Sequence, residues 1–176
     1  MKHLASAGLL SLLSACSQHD ISQYQDNTPQ IIVHEFFQGQ LRAHGMVKNR
    51  GGELIRYFSA DITGTCSELT CTLDEYFFFD DGEKQYRQWQ LKRDSNTENT
   101  WRATANDVIG EHSLYSAGNA LSMRYTLRLQ LDDSEVDIEV DDRMYLIHPK
   151  RLINESTFTK FGFEVGSVSL MIEKLE

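Results

Sequence analysis

The sequence predicts an all-β domain in which about ten antiparallel strands close into a barrel. Three observations predict this fold class. Many short segments alternate apolar and polar residues, the period-two pattern of a strand that buries one face. Turn-forming residues separate these segments, and no helical pattern lies between them to carry a parallel crossover. The two prolines, Pro29 and Pro149, fall outside the alternating segments, where a missing backbone N–H breaks no strand pairing.

The first 15 residues are typical of a secretory signal, because Lys2 precedes an apolar run from Leu4 to Leu13 that is too short to span a bilayer. The run ends in Leu-Ser-Ala-Cys, which resembles the lipobox of bacterial lipoproteins. This resemblance implies cleavage before Cys16 and acyl chains on Cys16 that anchor the chain in a membrane. Because Ser17 rather than Asp follows the cysteine, the resemblance favours the outer membrane, with the domain facing the periplasm.

Residues 16–28 are predicted to be the lipidated cysteine and a flexible polar tether, and residues 29–176 a single β-barrel domain. Thr28-Pro29 predicts the start of a short helix through Phe37, since Thr caps helices and Pro suits the first helical position. The strands predicted beyond it are 40–47, 53–62, 70–79, 84–91, 101–106, 111–116, 121–131, 135–147, 152–159 and 164–174.

Tight hairpin turns are predicted at Gly51-Gly52 and Asp81-Gly82, whose residues tolerate the positive φ that such turns require. A meander of this length must close or leave edge strands that invite aggregation. We predict closure into an up-and-down barrel, similar to that of lipocalins, with a two-sheet sandwich as the alternative. A barrel of roughly eight to ten strands encloses side chains or one small ligand.

The charge balance argues against some partners. The chain has 17 basic and 26 acidic side chains, a formal net charge of −9. This acidity argues against nucleic-acid binding, which depends on Lys and Arg contacts to phosphates, and against electrostatic adhesion to anionic lipid. Acyl chains would therefore have to hold the protein at a membrane by themselves.

Two cysteines remain once Cys16 is assigned to the lipid. In an exported chain Cys66 and Cys71 would meet an oxidising compartment, where an even pair is usually bridged. We predict a disulfide between them that closes a strand-to-strand loop. A metal or redox site is the alternative, but metal sites need more ligands than two thiols and redox dithiols favour a Cys-x-x-Cys spacing.

Four stretches of the domain carry a resemblance to a known family: FFQGQLRAHG (36–45), TANDVIGE (104–111), AGNALSMRYTL (117–127) and DDRMYLI (141–147). Together they resemble domain-of-unknown-function family 3833, a set of bacterial envelope lipoproteins, over about residues 30–175. The resemblance implies no particular reaction. The association of the family's genes with fatty-acyl-modifying enzymes favours a lipid as the ligand.

Polar residues in the middle of the chain are candidates for a ligand site. Asn106, Asp107 and Asn119 lie near the ends of the least regular strands, where a barrel mouth would let them fix the head group of a ligand. Turn chemistry is the alternative, because tight connections favour Asn, Asp and Gly.

The strand predicted at 135–147 contributes a candidate buried carboxylate. Alternation sends three acidic residues to one face, predicted to face solvent: Asp137, Glu139 and Asp141. Asp142 falls on the apolar face and requires a partner there, for which Arg124 or Arg128 of the preceding strand is predicted. The group would bind a ligand or form a structural ion pair that closes the barrel.

No catalytic motif is present in the sequence, which has no G-x-S-x-G elbow, phosphate loop or dinucleotide fingerprint, and its histidines lack metal-ligand spacing. The first functional hypothesis is therefore a non-catalytic barrel that binds a fatty acyl chain or another small apolar molecule, without a cofactor. An enzyme that acts on acyl chains through Asp142 or His112 is the second. A structural lipoprotein with a filled core is the third.

Overall fold

The structure is a computed structural model that describes residues 20–131 and 134–175. The predicted signal at residues 1–15 and the predicted lipidation site at Cys16 lie outside the described residues. In the part of the chain that the structure describes, no helix is long and apolar enough to cross a membrane.

Ten antiparallel strands form a closed barrel. The strands are β1 (Gly39–Asn49), β2 (Leu54–Cys66), β3 (Thr70–Phe79), β4 (Lys84–Arg93), β5 (Thr100–Ala105), β6 (His112–Ala117), β7 (Ala120–Leu131), β8 (Ser134–His148), β9 (Arg151–Lys160) and β10 (Phe163–Lys174). Each pairs with its neighbours in sequence, and β10 pairs with β1 along a register from Leu41 opposite Lys174 to Asn49 opposite Gly166. The predicted up-and-down barrel is confirmed, and the two-sheet sandwich is excluded.

Alternation along each strand divides the side chains between the barrel wall and its interior. In β8, Asp137 and Glu139 are exposed, whereas the intervening Ile138 and Val140 are buried. The acidic outer wall predicted for this strand is therefore confirmed. Burial of the apolar side chains is the main force that fixes the pairing register, because a slip by one residue would exchange the two faces.

Two turn predictions and the predicted disulfide are also confirmed. Gly52 and Gly82 have φ angles of 81° and 90°, the left-handed region that a side chain disfavours. Cys66 and Cys71 are opposite each other at the end of the β2–β3 hairpin and form a disulfide.

A one-turn helix, α1 (Val33–Phe37), closes one end of the barrel, which we call the floor; the opposite end is the mouth. Its apolar residues Val33, Phe36 and Phe37 are buried. The Lys174 Nζ atom donates to the carbonyl oxygens of Glu35, Phe36 and Gln38 at 2.7, 3.1 and 2.5 Å, which ties the end of α1 to β10.

The predicted start of this helix at Thr28-Pro29 is wrong. That peptide bond is cis and lies four residues before the helix, whose N-cap position is taken by Ile32 without a side-chain hydrogen bond. Packing of Val33 and the two phenylalanines against the barrel, rather than a capping side chain, sets the position of the turn.

The described part of the predicted tether, residues 20–28, lies against the floor instead of extending freely. Asp20 accepts a hydrogen bond from the Ser22 amide at 2.9 Å and begins a short 3-10 helix, Ile21–Tyr24. The Tyr24 ring packs edge-on against Tyr145 with centroids 5.5 Å apart. Gly118 permits this approach, because a β-carbon there would collide with the Tyr24 carbonyl oxygen.

Candidate functional site

A cavity of about 300 Å³ occupies the barrel interior between the floor and the mouth. Phe37 of α1 forms its base, and the remaining lining comes from inward-facing residues of the strands. Most of these are aliphatic or aromatic, and they include Phe58, Phe77, Trp89, Leu127, Phe158 and Leu170. The interior is therefore an apolar chamber rather than a fully packed core.

Ionisable side chains also face this chamber from two sides. Glu75 on β3 and Arg87 on β4 are directly opposite each other in the strand register and both line the cavity. On another part of the wall, Asp142 of β8 lies beside Asn154 and Ser156 of β9. Such groups in an apolar cavity are typical of sites that orient a ligand.

Arg87 is held by a carboxylate from outside its own hairpin. Its Nε atom lies 2.8 Å from Asp107 Oδ2 and 3.0 Å from Oδ1, and its Nη2 atom lies 2.7 Å from Oδ2. The guanidinium also lies near the rings of Phe77 and Trp89, at 5.7 and 5.9 Å from their centroids. The pairing neutralises a cation that has few contacts with water.

Asp142 is almost fully buried, at 6% exposure. Its Oδ1 atom accepts hydrogen bonds from Asn154 Nδ2 at 2.5 Å and from Ser156 Oγ at 2.7 Å. Burial raises the pKa of Asp142 above its ordinary value, and these two donors oppose the rise without cancelling it. The carboxylate is thus solvated by neutral donors and has no ion pair with any described residue.

Glu75 is a second carboxylate altered by the cavity. Burial raises its pKa from 4.5 to about 7; the nearby Arg87 opposes this rise, and the charges of Asp107 and Asp142 add to it. Glu75 makes no hydrogen bond or ion pair with the described residues, although it faces the cavity. At neutral pH its proton is therefore close to balance between bound and released.

Tyr125 and Trp89 also line the cavity, and their rings are in edge-on contact with centroids 5.3 Å apart. Burial raises the pKa of Tyr125 well above 10, so its phenol remains a protonated hydrogen-bond donor. The cavity therefore presents aromatic side chains, neutral donors such as the Tyr125 phenol, and charged groups to an occupant.

The predicted mouth residues are not brought together. Asn106 joins the β5–β6 connection to β4, accepting from the Gln88 amide at 2.7 Å and donating to the Tyr86 carbonyl at 3.3 Å. Asp107 does not line the cavity itself and acts on it by holding Arg87. Asn119 lies at the floor, in the β6–β7 turn, where it donates to the Leu146 carbonyl at 3.2 Å.

The predicted partners of Asp142 are wrong. Arg124 and Arg128 face outward and form ion pairs with Asp141 at 2.7 Å and Asp137 at 2.8 Å. Both arginines lie on the outer face of β7, opposite the face that lines the cavity, so neither can reach Asp142. The inward position that was predicted for Asp142 itself is confirmed.

A carboxylate and a histidine that converge in the cavity would favour the second hypothesis, an enzyme that acts through Asp142 or His112. His112 instead bonds through Nε2 to the Ile109 carbonyl oxygen at 2.8 Å, and no histidine is among the described residues that line the cavity. Within the described ranges there is also no cluster of three potential metal ligands.

Glu75 and Arg87 were not predicted, although the signal for them is present. Both are charged residues on a strand face whose neighbouring residues are apolar. Glu75 lies between Leu73 and Phe77 on one face, and Arg87 precedes Trp89 by two residues. The reasoning that identified Asp142 as a charged residue on a buried face applies equally to them.

The fold is shared with other small barrels. The S-type phycobiliprotein lyase CPES from Guillardia theta is similar at 16% sequence identity and a TM-score of 0.58, over 81% of this chain and 92% of that chain. EF1p2_mFAP2b bound to DFHBI is similar at 9% identity and a TM-score of 0.47, over 80% and 94% of the two chains. At 16% identity the likeness to the CPES lyase shows the fold alone.

No curated protein matches the sequence. A family model described as "Protein of unknown function (DUF3833)" matches residues 10–174, which is nearly the whole chain. The resemblance drawn from the four sequence stretches is confirmed, and the chain belongs to the DUF3833 family.

Proposed function

We propose that this protein is a lipid-anchored component of the bacterial envelope that binds a fatty acyl chain or another small apolar molecule in its barrel, without catalysing a reaction. The cavity is the observation that supports this function. Ligand pockets are mostly apolar, contain a few polar groups and start at about 300 Å³. Protein interiors are otherwise close-packed, so a purely structural barrel of this size would fill the same space with side chains.

Acylation of Cys16 would place the membrane near the floor of the barrel. Cys16 and Asp20 are four residues apart, and an extended chain spans at most about 3.6 Å per residue, or roughly 14 Å in total. Asp20 begins the 3-10 helix that packs at the floor. The mouth would then face away from the anchoring bilayer, where it is accessible to a donor or acceptor of the ligand.

A cavity-filling substitution tests the binding function. Leu170→Trp places an indole in the cavity, whereas Met171→Trp places the same group on the outer wall of β10. We expect native mass spectra of the Cys16→Ser chain, purified from the cell envelope, to show a mass excess that is lost on denaturation. Leu170→Trp should remove it and Met171→Trp should keep it. Bare protein mass in every sample, before and after dodecan-1-ol is added, would contradict the proposal.

The anchor has a separate test. We expect the natural chain to take up radioactive palmitate in a Gram-negative host and to sediment with the outer membrane. Cys16→Ser should lose the label and no longer sediment with the outer membrane. An unlabelled natural chain would contradict lipid anchoring and leave the binding function to be judged by mass spectrometry alone.

A further inference from the structure

We infer that the cavity selects a ligand whose polar end is a cation, such as the ammonium group of a long-chain amine, over one that ends in a carboxylate. This inference rests on the proposed binding function and specifies the chemical class of the ligand. It depends on which charged groups of the wall already have partners and which do not.

Both cations of the cavity wall are already paired. Arg87 makes three contacts of 3.0 Å or less with Asp107. Arg56, near the mouth, lies 2.9 Å from Asp81 and 2.8 Å from Glu83, and its guanidinium stacks 3.8 Å from the centre of the Phe79 ring. The Nε atom of Arg56 is a buried donor without a hydrogen-bond partner among the described residues. The charge of each guanidinium is nevertheless already balanced by protein carboxylates, so a ligand carboxylate would gain little attraction from either arginine.

Two carboxylates of the wall, Glu75 and Asp142, form no ion pair with the described residues, although the charge of Arg87 acts on both. Glu75 forms no ion pair or hydrogen bond with the described residues, and only Oδ1 of Asp142 accepts from its neighbours, Asn154 and Ser156. The Oδ2 atom of Asp142 is left without such a bond. Glu75 and Asp142 line the same cavity, so both carboxylates face one occupant.

The wall around these carboxylates suits a cation that carries an apolar tail. Phe77, Trp89 and Tyr125 line the same cavity, and aromatic rings attract cations through their quadrupole. An ammonium group would receive hydrogen-bond acceptors and a compensating charge, while its hydrocarbon chain occupied the apolar remainder. A carboxylate would meet two like charges in a region of low dielectric constant, which costs binding energy.

Three ligands with the same tail separate head-group preference from binding as such. Dodecylamine, dodecan-1-ol and dodecanoate are titrated into the Cys16→Ser chain at pH 8, below their micelle concentrations, with binding measured by calorimetry. We expect the amine to bind at least about tenfold more tightly than the acid, with the alcohol in between. Glu75→Gln combined with Asp142→Asn should remove this preference. The exposed Glu139→Gln, on the same strand as Asp142, should keep it.

A second measurement needs no variant. The ammonium group stays charged from pH 6 to pH 8, whereas Glu75 ionises across this range, in the field of Arg87, Asp107, Asp142 and Tyr125. Binding of dodecylamine should therefore strengthen between pH 6 and pH 8, and binding of dodecanoate should weaken. Equal or tighter binding of dodecanoate or dodecan-1-ol to the unaltered cavity would overturn the inference while leaving the binding function intact. Failure of all three ligands to bind would overturn both.

Discussion

At the scale of single residues, the barrel interior depends on how each buried charge is compensated. Arg87 and Asp107 keep only 19% and 27% of their side chains exposed. Removal of one partner from such a pair leaves the other charge without compensation, which costs more than the pair contributes. The ion pairs of the outer wall differ, because water solvates either partner when the other is lost.

This contrast gives the first prediction. Asp107→Asn should lower the free energy of unfolding by about 1–3 kcal/mol, less than for a fully buried pair because water still reaches part of both groups. Asp137→Asn, which breaks the exposed pair with Arg128, should change it little. Urea unfolding of both variants at pH 7 measures the difference. Equal losses would show that Arg87 is solvated or finds another partner inside the barrel.

Individual residues were also the hardest feature to predict from the sequence. Asp142 could be placed in the interior because it is a charged residue on the apolar face of its strand. Its partners could not be predicted. Asn154 and Ser156 reach it from β9, and the β8–β9 register shifts by an irregularity between Leu146 and His148 that the sequence pattern does not reveal. Asp107 likewise approaches Arg87 from a connection whose path the sequence does not specify.

At the scale of elements, all ten strands could be predicted, with every end within two residues except that of β2, which runs four residues past its predicted end. The N-terminal segment could not be predicted. Strand signals are local, because alternation and turn residues act within one hairpin. Residues 20–38 are positioned by contacts with the barrel instead. Two glycines of the strands and turns, Gly64 and Gly118, permit the backbone of this segment to approach, at Phe37 and Tyr24 respectively.

The second prediction concerns this attachment. Gly118→Ala and Gly110→Ala both place a side chain at positive φ, 53° and 82°, at a cost of about 1–2 kcal/mol each. Only at Gly118 would the new β-carbon also collide with the Tyr24 carbonyl oxygen, because Gly110 has open space around it. Hydrogen exchange should therefore show loss of protection at the amides of Gln25 and Asn27 in Gly118→Ala alone. The same exchange pattern in Gly110→Ala would contradict a steric role for Gly118.

The disulfide gives a third prediction at this scale. Cys66 and Cys71 are five positions apart, so their bond closes a short loop and removes little entropy from the unfolded chain. The double variant Cys66→Ser/Cys71→Ser should lose about 2 kcal/mol of unfolding free energy and still fold. Circular dichroism with urea titration measures both properties, and a variant without β structure would show that the bond is required for folding.

At the scale of the whole molecule, inner and outer carboxylates give opposite pH dependences. A hydrogen bond from Arg128 lowers the pKa of Asp137. The pKa of Asp94 is lowered mainly by a hydrogen bond from the Asn96 amide and also by one from the Arg102 side chain. Such groups stabilise the fold above their unfolded pKa of about 3.8, and this stability is lost as the pH falls through the lower folded value. The outer wall therefore weakens in acid.

The cavity has the reverse effect. Burial raises the pKa of Glu75 to about 7 from 4.5, so the folded state holds a proton that the unfolded state releases. Below about pH 4.5, Glu75 does not lower the free energy of unfolding. As the pH rises toward 7, the burial of its charge lowers that free energy progressively, and above pH 7 the loss levels off at no more than about 3 kcal/mol. Burial raises the pKa of Asp142 as well, which adds to the same effect.

These two trends place the stability maximum of the ligand-free barrel near pH 4–5, more acidic than the neutral optimum of many proteins. Urea midpoints at pH 3.5, 5 and 8 test this fourth prediction. The urea midpoint of Glu75→Gln should equal that of the natural chain at pH 5 and be higher at pH 8. Glu139→Gln, which removes an exposed charge and so controls for net charge, should show no such gain. An equal gain in both variants would assign the decline above pH 5 to overall repulsion rather than to the cavity. A gain confined to Glu75→Gln would show that a carboxylate without an ion pair, placed where a ligand would bind, lowers the stability of the barrel above pH 5.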